Sequence, residues 1–170
     1  KYTAGTLTLS AGIGIFDNKY PIYKAAYQTA ELEEAAKQLD KKNGVSLFTT
    51  DENHTYKWDE FISSVVNEKL KELQSFFDDS SEEKERGKAF LYKLLNLLRG
   101  SHQKINIARY AYVLARLEPS GKSEAHQKRY QSFAEKMYKW IYDEKDRKAL
   151  ITAIYIYVYL TREKREEQCK

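Results

Sequence analysis

The sequence predicts an α+β protein that is mostly α, with a strand–helix–strand unit followed by a bundle of about five helices. Residues 6–16 alternate weakly and are rich in Leu, Ile and Thr, which is typical of a strand. Apolar residues then recur at helical spacing over residues 22–36, and again in several segments after Thr55. Only 2 Pro and 7 Gly occur in 170 residues, which favours long uninterrupted helices.

The strand–helix–strand unit accounts for the first part of the chain. The sequence DNKYP after the strand has turn chemistry, and Pro21 suits the first turn of a helix. Small and apolar residues follow at helical spacing: Ile22, Ala25, Ala26, Thr29, Leu32, Ala35 and Ala36. KKNG is expected to end this helix, with Asn43 and Gly44 in the left-handed conformation. Residues 45–48 (VSLF) then form the second strand of a right-handed crossover.

This unit is not expected to stand alone, because two strands and one helix leave a sheet face and two edges uncovered. Either the helical remainder or further strands must cover them. We expect further strands, since the chain starts with KYTAGTLTLS, close to a strand and without Met. Gly12 and Gly14 lie inside the first strand, which indicates either a bulge or the close approach of a ligand.

The remaining residues predict helices, which gives a division into residues 1–54 and residues 55–170. The helical segments contain WDEFISSVVNEKLKELQSFFDD, KAFLYKLLNLLRG, KINIARYAYVLARLEP, RYQSFAEKMYKWIYDE and DRKALITAIYIYVYLTREKREEQ. Residues 149–160 (ALITAIYIYVYL) alternate like a strand, but their charged flanks are helical, so we predict a buried central helix. Its apolar run is shorter than the ~20 residues needed to cross a bilayer, so no membrane contact is expected.

Composition excludes several classes of site. The net charge of +4 is too small to indicate nucleic acid by itself. The single cysteine, Cys169, rules out an internal disulfide framework and favours a reducing, cytoplasmic compartment. His54, His102 and His126 have no metal-ligand spacing, and no nucleophile–base arrangement can be argued. The residues alone therefore indicate no complete catalytic site.

Basic side chains provide the candidate anion contacts, each with a structural alternative. Lys37, Lys41 and Lys42, at the helix C-terminus and in the following turn, either interact with the helix dipole or clamp a phosphate. Arg109 and Arg116, seven residues apart on one helix, either form structural salt bridges or contact an RNA backbone. Lys88, after Gly87, is either solvated or in contact with a phosphate.

Residues 7–48 resemble the last part of the palm domain of GGDEF-type nucleotide cyclases, a partial ferredoxin-like unit. They resemble more closely the second palm of the large subunit of type III-A CRISPR effector complexes, the Csm family. The segments TYKWDEFI, KAFLYKLLNLLR, INIARYAYVLARLEP and ALITAIYIYVYLTRE are similar to the family's C-terminal helical domain, in the same order. The resemblance covers essentially the whole chain.

The resemblance implies an enzyme of antiviral defence. The intact large subunit converts ATP into cyclic oligoadenylates when target RNA is bound, and many members cut single-stranded DNA in an HD-type nuclease domain. ATP lies between two palms, with Mg or Mn held by a Gly-Gly-Asp-Asp hairpin. Neither that hairpin nor the HD motif occurs in this sequence. We therefore expect a C-terminal piece that has neither activity and no cofactor of its own.

The resemblance also assigns roles to residues and partners. The expected nucleotide contacts are Ser10, Ala11, Gly12, Lys37, Lys42 and, as a weaker candidate, Lys88. The helical domain is expected to dock on the small subunit, and to support the guide RNA–target RNA duplex through Arg109 and Arg116. The remainder of the large subunit is a further expected partner.

Two other functions are compatible with the residues. One is a free-standing helical adaptor for protein interactions, in which the strand–helix–strand unit has no nucleotide role. The other is a self-sufficient nucleotide-binding enzyme, which ATP turnover by this chain would reveal.

Overall fold

The computed structural model describes residues 7–49, 54–78, 81–101, 103–118 and 124–167, although the side chains of residues 81–86, 88 and 163–167 are not described. It is mostly helical with a small sheet, which confirms the predicted fold class. The chain forms two compact units, Lys1–Ser63 and Ser64–Lys170. The division at residues 54 and 55 stays a prediction. Cys169, His102 and Pro119 lie outside the described residues.

A sheet with strand order β1-β2-β3 organises the first unit. Strand β1 (Ser10–Ile13) leads through helix α1 (Ile22–Lys37) to β2 (Gly44–Leu47), which pairs with β1 in parallel. The predicted strand–helix–strand unit is thus confirmed. Strand β3 (Thr55–Lys57) pairs antiparallel with β2 and was not expected, because the sequence after Thr55 indicated only helices.

The turn between α1 and β2 differs from the prediction. The left-handed residues are Lys41 and Lys42, with φ of 64° and 48°, whereas Gly44 lies in strand β2. A Cβ on Gly44 would stand 2.7 Å from the carbonyl oxygen of Tyr56 on β3 and would also collide with the Leu39 side chain. Gly44 is therefore placed where the strands meet closely, and the lysines adopt the left-handed conformation.

The core of the first unit is built from one side of α1 and from the sheet. Leu32 and Ala36 are the buried residues of α1, and Val45 and Tyr56 contribute buried side chains from β2 and β3. The Trp58 indole Nε1–H donates to the carbonyl of Leu9 at 2.8 Å, which ties the residue after β3 to the start of β1.

Helices form the second unit. The division between the units falls within a π-helix (Phe61–Leu70), which follows α2 (Trp58–Glu60) of the first unit and precedes α3 (Lys71–Phe77) of the second. The later helices are α4 (Ser81–Arg99), α5 (Lys104–Ala115), α6 (Glu124–Tyr142) and α7 (Glu144–Glu167). Residues 149–160 lie in α7, which confirms the predicted helix.

An aromatic cluster fills the centre of the second unit. The Phe77 ring lies between 5.8 and 6.0 Å from the rings of Phe90, Phe133 and Tyr157. The Tyr157 hydroxyl donates to the Asp78 carboxylate at 3.2 Å. Burial, and secondly the charge of Asp78, raises the pKa of Tyr157 above its ordinary value. No helix in the described part of the chain is long and apolar enough to cross a membrane.

Candidate functional site

An open groove beside β1 brings together three of the predicted nucleotide contacts. Ser10, Ala11 and Gly12 form one wall of this groove, whose volume is about 690 Å³. The opposite wall is α1, which contributes mainly small side chains. The remaining lining residues are Phe16, Ile22, Ala25, Ala26, Thr29, Ala30 and Glu33. We call this space the β1–α1 groove.

At Gly12, strand β1 and helix α1 approach each other closely. A Cβ on Gly12 would lie 2.5 Å from both the backbone nitrogen of Glu33 and the carbonyl oxygen of Thr29. Real Cβ atoms do not approach backbone this closely, so a side chain would force the helix away from the strand. The close neighbour of Gly12 is thus α1, and its contact with a nucleotide stays a prediction.

Ser10 connects the groove to the turn that follows α1. Its hydroxyl donates to the backbone carbonyl of Lys42 at 2.8 Å. Lys42 is exposed and is not part of the groove wall. The backbone of this predicted phosphate contact is therefore held beside the start of β1, and its ammonium group extends from an exposed turn.

Lys37 is placed one helical turn beyond the groove residue Glu33. Its ammonium group forms an ion pair with the Glu33 carboxylate at 2.7 Å, and both side chains are partly exposed. The hydrogen bond to Glu33 raises the pKa of Lys37. Lys88 lies in α4, but its side chain is outside the described residues.

The two predicted RNA contacts lie at the surface of the second unit. Arg109 is in α5 and Arg116 directly follows that helix, and both are exposed. Seven residues correspond to nearly two helical turns, so the two positions fall on nearly the same side. Within the part of the chain that the structure describes, neither guanidinium has an ion-pair partner.

Sequence reasoning missed most of the groove wall on α1. Ala25, Ala26 and Thr29 were identified only as the packed side of a helix. Their small size could have indicated the groove. Small side chains on one helix face allow a strand to approach and leave space beside the helix. Phe16 and Glu33 had no such signal, since both occur in patterns that also fit a turn and a solvated helix face.

Comparison with known proteins matches both units to one family. The model for the second helical domain of the Cmr2 subunit of the CRISPR RNA silencing complex matches residues 74–163. The model for the Cas10/Cmr2 second palm domain matches residues 1–46. The chain belongs to the Cas10/Cmr2 family. The resemblance to the type III-A large subunit is thereby confirmed, with the palm and helical domains in the expected order.

Curated relatives agree with this assignment. The chain is 43% identical over 168 residues to a protein of Mycobacterium tuberculosis, and 46% identical over 162 residues to one of Streptococcus thermophilus. Each is described as a CRISPR system single-strand-specific deoxyribonuclease Cas10/Csm1 of subtype III-A. The alignments cover 98% and 94% of this chain but 20% of each relative, so the chain spans about a fifth of their length.

Proposed function

We propose that this chain forms part of the large subunit of a type III-A CRISPR effector complex, an antiviral assembly of the cytoplasm. The observation that carries the proposal is the match of the chain to two domains of the Cas10/Cmr2 family, the second palm domain and the second helical domain. In this proposal the longer protein makes cyclic oligoadenylates from ATP and cuts single-stranded DNA. The chain by itself performs neither reaction and contributes binding surfaces.

The β1–α1 groove is proposed to complete the ATP pocket. Its volume of about 690 Å³ is within the range of small-molecule sites, roughly 300–1,000 Å³. Ser10, Ala11 and Gly12 would border the nucleotide, with little side-chain bulk to exclude it. Glu33 places a negative charge on the groove wall. Its ion pair with Lys37 is partly exposed and therefore weak, so Lys37 can exchange this carboxylate for a phosphate.

Lys37 and Lys42 are proposed to stabilise the phosphates. Phosphoryl transfer depends on positioning and on neutralising charge, which lysine supplies as a mobile point charge. A bound divalent metal would supply further positive charge at the phosphates. Among the described residues no three His, Cys, Asp or Glu side chains are close enough to hold a metal ion. In this proposal the metal ligands belong to other parts of the longer protein, as the family resemblance implies.

The helical unit is proposed to support the guide RNA–target RNA duplex and to dock on the small subunit. Arg109 and Arg116 carry the RNA role, because both guanidinium groups are exposed on nearly the same side. Arginine binds phosphate with two parallel hydrogen bonds, which suits contacts to an RNA backbone.

A gel-shift assay with a guide–target RNA duplex tests this role. We expect the Arg109→Glu/Arg116→Glu variant to bind the duplex at least about tenfold more weakly, because two attractive contacts become repulsive. The charge-matched control is Lys93→Glu/Lys145→Glu, at two exposed lysines of the same unit. The RNA role of Arg109 and Arg116 fails if both variants bind as the parent chain does, or if they lose affinity equally.

A further inference from the structure

A second groove, in the helical unit, is lined largely by charged and polar side chains. It lies between the π-helix with α3 on one side and α6 on the other, and has a volume of about 470 Å³. Lys71 contributes from the first side, and Lys136 and Lys139 contribute from α6. Glu68 and Glu72 are the carboxylates of its wall. We call this space the lysine groove.

Both carboxylates of the lysine groove already accept hydrogen bonds or form ion pairs within the protein. One Glu68 oxygen accepts from the Lys69 ammonium at 2.6 Å, and the other accepts from the Trp140 indole N–H at 3.3 Å. Glu72 forms an ion pair with Lys136 at 2.6 Å. Glu72 is therefore neutralised from within the protein, and Glu68 is partly neutralised, because it shares the Lys69 ammonium with Asp146.

The neutralisation of Glu68 is built into the fold, because Lys69 is fully buried. The Lys69 ammonium also donates to Ser64 at 2.9 Å and to Asp146 at 2.5 Å, and lies 5.1 Å from the centre of the Trp140 ring. A buried ammonium needs such partners, so Lys69 cannot leave Glu68 without losing part of its own stabilisation.

Lys71 and Lys139 are then left as exposed cations facing one groove. Neither lysine has an ion-pair partner within the described ranges of the chain. They come from opposite walls, so a ligand in the groove would meet positive charge on both sides. Asn67 and Ser75 add exposed hydrogen-bond donors to the same walls.

We propose that the lysine groove binds the phosphodiester backbone of a single nucleic-acid strand. Lysine ammonium groups, amides and hydroxyls are the side-chain groups that contact phosphate oxygens. The proposal extends the nucleic-acid role of the helical unit and rests on it, but concerns a different surface from that of Arg109 and Arg116.

The groove fits a nucleic-acid backbone better than an acidic protein segment. Protein interfaces are dominated by buried aromatic or apolar anchors, and the only aromatic residue of the described groove wall, Trp140, is 2% exposed. The groove therefore offers contacts to phosphates and none to bases, and phosphate contacts carry no sequence information, so we expect binding to be independent of base sequence.

Fluorescence anisotropy with labelled poly(U) of about 15 nucleotides tests the proposal. We expect the Lys71→Ala/Lys139→Ala variant to bind about tenfold more weakly at about 50 mM salt. The slope of log K against log salt should shrink by about 1.4, since each lost phosphate contact removes about 0.7. Lys93→Ala/Lys145→Ala removes the same charge at exposed sites outside the groove and should bind as the parent chain does.

Equal poly(U) affinity in the groove variant and its control would overturn the proposal. A groove variant that keeps poly(U) affinity but loses affinity for a polyglutamate peptide would also overturn it, in favour of an acidic protein partner. The arginine variant separates this result from the proposed duplex role. Loss of poly(U) binding only in the groove variant, with unchanged duplex binding in the arginine variant, supports the groove and contradicts the role of Arg109 and Arg116.

Discussion

At the scale of single residues, two glycines explain how the palm-like unit packs. Gly12 lets α1 lie directly against β1, and Gly44 lets β2 approach Leu39 and the backbone of Tyr56. The sequence marked Gly12 as unusual, because a glycine inside a strand is costly. The sequence did not show whether a ligand or the protein itself lies beside Gly12, because that depends on where α1 packs after the turn.

We predict that Gly12→Ala lowers the free energy of unfolding by about 1–3 kcal/mol, as overpacking of a close contact does. The added Cβ would meet backbone atoms of Thr29 and Glu33, which move only with the whole helix. Gly14→Ala is the matched control, because its Cβ would meet mainly the Phe16 ring, which can rotate. Urea denaturation of both variants measures the difference, and equal stability of the two would contradict this packing.

At the scale of elements, the least usual feature is the π-helix Phe61–Leu70. Such helices are rare, and most are single-turn bulges in α-helices. Lys69 lies near its end, and its ammonium group joins this segment to Asp146 at the start of α7, 77 residues away in the sequence. The π-helix is therefore accompanied by a buried ionic link between elements distant in the chain.

An element could be predicted from the sequence when the residues that determine it lie close together in the chain. Helices α1 and α7 were predicted because their patterns are long and local. Strand β3 was missed because it has only three residues and leads directly into a helix. The π-helix had no sequence signal, and the contacts of Lys69 with Asp146 and Trp140 could not be predicted because they join residues far apart in the sequence.

The burial of the Lys69 ammonium predicts how the loss of each ion-pair partner changes the stability of the protein. Asp146→Asn should lower the free energy of unfolding by about 1.5–3 kcal/mol, because Lys69 loses a charged hydrogen-bond acceptor while remaining buried. Lys69→Met should cost less, because it removes the buried charge and leaves Glu68 and Asp146 partly exposed to water. Thermal denaturation compares the variants, and a larger loss in Lys69→Met than in Asp146→Asn would contradict this role.

At the scale of the whole molecule, the two units carry separate surfaces. The first offers the β1–α1 groove, and the second offers the lysine groove and the exposed pair Arg109 and Arg116. The family resemblance predicted Ser10, Ala11 and Gly12 as nucleotide contacts, which stays a prediction, and all three line the β1–α1 groove. The sequence did not locate the lysine groove, because Lys71 and Lys139 are separated by 68 positions and neither lies in a recognisable motif.

In the longer protein, the β1–α1 groove is proposed to complete the ATP pocket. The most direct test of this role is the yield of cyclic oligoadenylates by the intact large subunit with target RNA bound. Ala26→Trp fills the groove from an exposed position, and Gln28→Trp places the same ring on α1 outside the groove wall. We predict that Ala26→Trp lowers the yield at least about tenfold and that Gln28→Trp does not, because a filled pocket excludes the nucleotide. Equal yields from the two variants, or product from the present chain alone, would contradict this role.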